Sequence, residues 1–205
     1  MSMKLTEFIH GIEAFEKFES RDAMYKVATF LVSHFWGDYS NMADGLGVLL
    51  LTWNAAFYRY GTFNFDNLQK TIENNFSKIK YFRERDISTL KESDYEDVRD
   101  LFEKFREALK SVSNNTKSPV AVAKALHLLA PNFFPLWDKR ISQAYKCNYQ
   151  NDPAGRYILF SEITKEIAKE VSEYKEVKDI MKKENKTLLK LIDEYNYSKY
   201  TQQWI

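Results

Sequence analysis

The residues best suited to chemistry lie in SPVAVAKALHLLAPNFFPLWDKRI, residues 118–141. Pro119 fits the first turn of a helix, where its missing N–H is not needed, and Ser118 fits the N-cap before it. The predicted helix ends before the next proline and carries Lys124 and His127 one turn apart on one face. That face is otherwise small and apolar. We therefore expect partial desolvation to lower the pKa of Lys124 and make its amine nucleophilic.

The opposite face of this predicted helix is expected to pack on the core, and it carries Val122, Ala125, Leu126 and Leu129. After the helix, Pro131 and Pro135 stiffen a short connection. Asp138 follows and is well placed to cap the next helix. Because prolines bracket the turn, we expect the chain to fold back and bring Asp138 near Lys124.

Other side chains are candidates for binding rather than for bond making. His127, Trp137, Trp53 and Asn54 are predicted to hold a substrate, since Trp can stack on a planar ring and Asn54 lies on a strongly apolar helix. Candidate contacts to nucleic-acid phosphates are basic residues near the turns, namely Arg83, Arg85, Lys139 and Arg140.

A lysine on a helix, then a turn, then an aspartate that caps the next helix resembles the helix-hairpin-helix DNA glycosylase superfamily. The run Ser118-Pro119-Val120-Ala121-Val122-Ala123-Lys124 keeps the proline-to-lysine spacing of that family's L-P-G-V-G-x-K hairpin. The resemblance covers residues 118–141. It implies an all-α fold with two helical lobes, a DNA partner and base excision. In that reaction Lys124 attacks the sugar C1′ and Asp138 assists.

The same residues also have structural explanations. Lys124 could be a lysine whose stem covers apolar surface, Asp138 a helix cap, and His127 a hydrogen-bonded histidine. Val120 and Val122 occupy the positions of the hairpin glycines. These features favour a second hypothesis, a non-catalytic helical binding or interaction module. A third is a small-molecule-binding helical protein. The segment AKALHLLAPNFFPLWD also resembles uncharacterised microbial proteins, a likeness that names no activity.

Composition narrows the classes of protein and of site. Thirty Lys+Arg against twenty-nine Asp+Glu give a net charge of +1, so any DNA contact must be a local patch. The single cysteine, Cys147, excludes an internal disulfide and a cysteine zinc cluster, and with three scattered histidines no metal or other cofactor is predicted. The N-terminus lacks a signal-peptide pattern, and the most apolar run is too short to span a membrane. We expect a cytoplasmic protein without membrane contact; its oligomeric state stays open.

Helix breakers are rare, with four prolines, none before Pro119, and six glycines. Apolar spacing of three and four residues recurs, and sustained alternation is missing, so we predict an all-α bundle of about eight to ten helices. The domain is predicted to span 1–205, as one bundle or as two lobes that meet near 111–118. The predicted helices cover 5–15, 25–35, 46–60, 66–79, 95–109, 118–130 and 158–174, followed by a solvated terminal helix over 175–195.

Overall fold

The computed structural model describes residues 3–205, and within them the chain forms helices and no strand. The predicted all-α class is therefore confirmed. The helices are α1 Leu5–Glu19, α2 Ala23–His34, α3 Tyr39–Trp53, α4 Phe65–Asn74, α5 Phe76–Arg83, α6 Tyr95–Ala108, α7 Pro119–Leu129, α8 Lys139–Ala144, α9 Pro153–Val171, α10 Lys175–Glu184 and α11 Leu188–Asn196. Two 3-10 turns, Ile87–Thr89 and Glu92–Asp94, precede α6, and a π-helical turn, Tyr197–Thr201, follows α11.

Side-chain caps fix where many of these helices begin. The Ser118 hydroxyl accepts the Ala121 N–H at 3.1 Å, and the Asp138 carboxylate accepts the Ile141 N–H at 2.8 Å. Both predicted caps are confirmed. Each satisfies a backbone N–H that the first helical turn leaves without a partner. Helices α3, α4, α9 and α11 begin in the same way, at Asp38, Asn64, Asp152 and Thr187.

Helix α7 lies at the centre of the fold rather than at its surface. The predicted division into a core face and an opposite face is wrong, because α2, α3, α6 and α9 all pack against it. Residues on both sides of the helix, such as Val122 and Leu128, are buried. Lys124, the lysine of α7, is partly exposed. Its amine therefore reaches the edge of the core, whereas its neighbours on α7 stay buried.

Two long helices predicted from apolar spacing are shorter in the structure. The helix predicted over 46–60 ends at Trp53, because Asn54 leaves helical geometry and bonds to the Ser118 hydroxyl. The helix predicted over 66–79 divides at Asn75. There the side-chain amide donates to the Thr71 carbonyl at 2.8 Å, which competes with the continuing backbone ladder.

The terminal segment differs most from expectation. The predicted solvated helix over 175–195 is two helices, separated at Asn185, whose left-handed backbone (φ 51°) asparagine tolerates. Helix α10 is largely exposed, as predicted. Helix α11 is buried nearly all round and packs on α1 and α9. The prediction of a solvated helix is therefore wrong for α11, and this helix supplies two charged residues to the site described below.

One connected apolar core runs from α1 to α11 through the described residues. The 111–118 segment is hydrogen-bonded to its neighbours, since the Val112 N–H donates to the Thr62 carbonyl at 2.9 Å. Whether two lobes meet there stays a prediction. Within residues 3–205, none of the helices combines the length and the apolar character needed to cross a bilayer.

The contact between α1 and α11 gives a stability prediction. A Cβ added at Gly11 would lie 2.6 Å from the Tyr195 ring and 3.1 Å from its Cα, so the two helices would have to separate. We expect Gly11→Ala to lower the free energy of unfolding by about 1–3 kcal/mol, the usual cost of overpacking. Urea denaturation measures the change. The exposed change Glu13→Ala on the same helix is the control, and equal stability of the two variants would contradict the prediction.

Candidate functional site

A semi-enclosed cavity of about 380 Å³ lies where α1, α2, α3, α7, α8 and α11 approach one another. Its apolar lining consists of Phe15, Trp53, Leu136, Trp137, Ile141 and Tyr197. Its charged lining consists of Glu19, Asp22, Lys124, Asp138, Lys190 and Asp193. The predicted pair, Lys124 and Asp138, therefore shares one cavity with two tryptophans.

Lys124 is held at the cavity wall by the C-terminal end of α3. Its ammonium donates to the Trp53 carbonyl at 3.0 Å and to the Asn54 side-chain oxygen, and it lies 5.5 Å from the Trp53 ring centroid. Burial lowers the pKa of Lys124 to about 8, although Asp193 and Asp138 act in the opposite direction. At pH 7 the amine is therefore neutral in about a tenth of the molecules, a far larger share than for an ordinary exposed lysine.

Asp138 is fixed by two hydrogen bonds. One carboxylate oxygen accepts the Ile141 N–H and the other accepts the Thr201 hydroxyl at 2.5 Å. Asp138 makes no direct ion pair with Lys124, but its charge acts on the Lys124 amine across the cavity. The arrangement leaves room for a ligand between an amine and a fixed negative charge.

A buried ion cluster forms another part of the cavity wall. The Lys190 ammonium, in a side chain only 1% exposed, lies 2.9 Å from Asp22, 3.5 Å from Asp193 and 3.6 Å from Glu194. Lys186 also pairs with Glu194, at 3.0 Å. A buried ammonium without such partners would be strongly disfavoured, so the carboxylates are what allow Lys190 to be charged at this position.

Three aromatic rings also lie close to this ammonium, and two of them, Phe15 and Trp53, belong to the cavity lining. The ammonium lies 4.5 Å from the Phe15 centroid, 4.7 Å from Tyr25 and 5.5 Å from Trp53. The faces of these rings carry negative partial charge and add to the attraction of the carboxylates. The Trp53 ring therefore lies close to both cavity lysines, since Lys124 is the same distance away.

The two members of the cluster on α11 titrate in opposite senses. Burial alone would lower the pKa of Lys190, but Asp193, Glu194 and Asp22 outweigh it and raise that pKa. Burial raises the pKa of Asp193 to about 6, despite the nearby ammonium. Asp193 is therefore ionised at pH 7 and gains a proton under mildly acidic conditions.

Asp22 shows backbone strain at the same place. Its φ of 35° and ψ of 43° lie in the left-handed region, which is uncommon for a residue with a side chain. The strained conformation leads into α2 and lies beside the ion pair of Asp22 with Lys190. Strain of this kind persists only where surrounding contacts hold it and is frequent at functional sites.

The predicted substrate-binding residues separate into two groups. Trp53 and Trp137 line the cavity, although Trp137 is only 1% exposed. Asn54 lies behind Lys124 and accepts a hydrogen bond from it. His127 lies away from the cavity lining and is fully buried, with one ring nitrogen 2.8 Å from the Tyr25 hydroxyl and the other 2.8 Å from the Phe134 carbonyl. A direct contact of His127 with a ligand therefore finds no support in the geometry.

The predicted phosphate contacts also differ in availability. Arg83 donates to the Leu129 carbonyl at 2.7 Å and lies 4.0 Å from the Trp36 ring, while Arg85 makes a two-pronged ion pair with Asp94. Both guanidinium groups are therefore engaged in contacts within the protein.

Lys139 and Arg140 are exposed at the start of α8, next to Asp138, and Arg140 also donates to the Thr201 carbonyl at 2.5 Å. Of the four basic candidates, these two are the ones near the cavity, and their contact with nucleic acid stays a prediction.

Sequence reasoning missed Glu19, Asp22, Lys190 and Asp193. A signal for the last two was present in LLKLIDEY, where Lys190 and Asp193 are spaced by three residues among apolar neighbours that cover almost the whole helix. A charged pair in such a helix must be buried with it. Asp22 gave no comparable signal, because its place in the site depends on tertiary packing.

Comparison of the chain with protein families, curated proteins and solved structures finds no match. Among residues 3–205, no group of three or more His, Cys, Asp and Glu side chains is arranged to hold a metal ion.

His127 provides a pH prediction. Burial lowers its pKa from the ordinary 6.5 to about 4, so the folded protein keeps the ring neutral while the unfolded chain takes up a proton. The contribution of His127 to stability is therefore complete above pH 6.5 and is lost as the pH falls toward 4, by about 3 kcal/mol.

The non-titrating variant His127→Gln isolates this contribution. We expect wild-type stability to fall more steeply than that of the variant between pH 6.5 and 4, as measured by urea denaturation at each pH. Other acidic groups affect both proteins alike and cancel in the comparison. Parallel pH curves for the two proteins would show that His127 does not titrate as inferred.

Proposed function

We propose that the cavity is the active site of a DNA base-excision enzyme of the glycosylase and lyase type, with Lys124 as nucleophile and Asp138 assisting. The observation that carries the proposal is that Lys124, with its depressed pKa, and Asp138, fixed as a helix cap, line the same semi-enclosed cavity. The resemblance of residues 118–141 to helix-hairpin-helix glycosylases supplies the reaction.

The chemistry assigned to Lys124 needs a neutral amine. The lone pair of Nζ forms a bond to C1′ of the deoxyribose, and the C1′–N bond to the base breaks, leaving its electron pair on the base nitrogen. The base nitrogen takes up a proton. The amine can supply this proton, because its nitrogen becomes positively charged when it bonds to C1′. The nitrogen lone pair then opens the sugar ring: the C1′–O4′ bond breaks, its electron pair goes to O4′, which takes up a proton from water, and an iminium, C1′=Nζ⁺, is left. Water hydrolyses this iminium, or the iminium undergoes β-elimination with departure of the 3′ phosphate.

The role assigned to Asp138 is electrostatic. Positive charge develops at C1′ as the base departs, and a carboxylate at fixed distance stabilises it. Both oxygens of Asp138 already accept hydrogen bonds from the protein, which suits it to this role better than to proton transfer. Trp53, half-buried at the wall, offers a ring against which a displaced base can stack.

Borohydride trapping tests the proposal. The protein is incubated with duplexes that carry uracil, hypoxanthine, 8-oxoguanine, alkylated bases or an abasic site, and borohydride then reduces any iminium to a stable amine. We expect a covalent adduct with at least one duplex and a loss of about 100-fold or more in Lys124→Met. Lys182→Ala, which removes an exposed lysine of α10, is the control and should leave the adduct unchanged.

The pH profile of trapping gives an independent check. Since the neutral amine attacks, the rate should rise with pH and level off above about 8, where the pKa of Lys124 lies. Absence of both adduct and base release on every duplex would falsify the glycosylase proposal. A rate that still rises steeply toward pH 10 would place the reaction on an ordinary exposed lysine instead.

A second candidate is a binding site for a small molecule, without action on DNA. The observation that favours it is charge: four carboxylates and two ammonium groups line the cavity, and Arg83 and Arg85 are engaged internally. Such a lining repels phosphate.

The salt dependence of DNA binding separates the two candidates. If the protein is a DNA base-excision enzyme, its affinity for a duplex should fall steeply between 50 and 200 mM salt, because phosphate contacts release counterions. We expect Lys139→Ala with Arg140→Ala to flatten that dependence. Weak binding that is insensitive to salt would favour the small-molecule site.

A further inference from the structure

The cavity contains a second polar pair in addition to Lys124 and Asp138. Lys190 and Asp193 lie one turn apart on α11, and both line the cavity. The Lys190 ammonium and an Asp193 oxygen are 3.5 Å apart, so a hydrogen-bond donor and an acceptor stand side by side on the wall.

Both groups have hydrogen-bonding capacity that the protein does not use. The Lys190 ammonium is buried among carboxylates, yet none of those contacts has the geometry of a hydrogen bond, and Asp22 is left with an unbonded oxygen beside it. The carboxylate of Asp193 accepts no hydrogen bond within residues 3–205, although this side chain is only 12% exposed and lies 3.5 Å from the Lys190 ammonium. Buried polar groups are nearly always hydrogen-bonded, and an unsatisfied donor and acceptor at a cavity wall indicate that a ligand completes them.

The order of these groups defines the complementary ligand edge. A donor beside an acceptor pairs with a carbonyl beside an N–H, which is the edge of a cyclic amide, or lactam. The wall next to the pair is aromatic, with Phe15 and Trp53 both near the Lys190 ammonium. A flat ring that carries the lactam can lie against such a wall. The excess of carboxylates disfavours an anion.

We propose that Lys190 and Asp193 recognise a lactam-type nitrogen ring, with Asp193 accepting from the ring N–H and Lys190 donating to the adjacent carbonyl. The inference rests on the proposed function, in which a base enters this cavity, and names its substrate class. That class comprises bases with a keto group next to a ring N–H, such as uracil, hypoxanthine and guanine derivatives.

Bases of the amino type meet the opposite pattern. Adenine and cytosine carry an acceptor nitrogen where the lactam has its N–H, and an amino group where it has its carbonyl. The glycosidic bond must face Lys124, so the base is not free to turn over. The ring nitrogen then opposes the Asp193 carboxylate and the amino group opposes the Lys190 ammonium. Two mismatched contacts lower the affinity for an amino-type base more than the loss of a single hydrogen bond would.

A matched ligand pair tests the inference without requiring catalysis. The probe 1-methyluracil keeps its ring N–H between two carbonyls, whereas 1,3-dimethyluracil differs only by a methyl group on that nitrogen. Ligand-observed NMR titration of the wild-type protein should show 1-methyluracil binding about tenfold or more tightly, the value of one lost hydrogen bond to a charged group. In Asp193→Leu the ratio of affinities should fall toward one.

Equal affinity for the two probes, or no binding of 1-methyluracil at millimolar concentration, overturns the inference. The wild-type comparison needs no variant, so it stands even if Asp193→Leu does not fold. Trapping supplies a second arm, since duplexes with uracil or hypoxanthine should form adduct faster than duplexes with amino-type alkylated bases. Preferred binding of the lactam probe without any adduct would support the recognition by Lys190 and Asp193 and contradict the glycosylase proposal. Adduct formation without lactam preference would support the glycosylase proposal and contradict this recognition.

Discussion

The burial of one ammonium group organises this end of the molecule. Lys190 can remain charged in the core only because Asp22, Asp193 and Glu194 surround it. Those partners come from the start of α2 and from α11, so the requirement to neutralise one charge ties helices distant in the sequence to each other. Removing Lys190 would leave these three carboxylates buried without the ammonium they share. The cavity therefore keeps its polar wall as long as the fold persists.

This constraint connects to the predicted pair through electrostatics rather than contact. Asp193 pairs with Lys190 and also acts on the amine of Lys124, whose pKa reflects burial set against the charges of Asp193 and Asp138. Trp53 lies near both lysines and links them through its ring. The reactivity of Lys124 is therefore a property of the whole wall, and a change at α11 alters an amine on α7.

Much of this arrangement could be predicted from local sequence. The residue type and position of Ser118 and Asp138 predicted that they cap helices. The apolar neighbours of Lys124 on its helix predicted its desolvation. What could not be predicted depends on tertiary packing. Apolar spacing cannot show that several helices cover α7, nor that Asn54 ends a helix because its side chain has a distant partner. The burial of α11 was missed because mixed charges suggested a solvated surface.

The hydrogen bonds of Asp138 have a consequence for any ligand that enters. One oxygen accepts from the backbone of α8 and the other from Thr201, so rotation of the carboxylate is restricted before any ligand arrives. A flexible acid would lose conformational entropy on binding a ligand, and the solvent around it would have to reorganise. For Asp138, this loss of entropy occurs when the protein folds. The stability of α8 and the readiness of the site therefore come from the same two bonds.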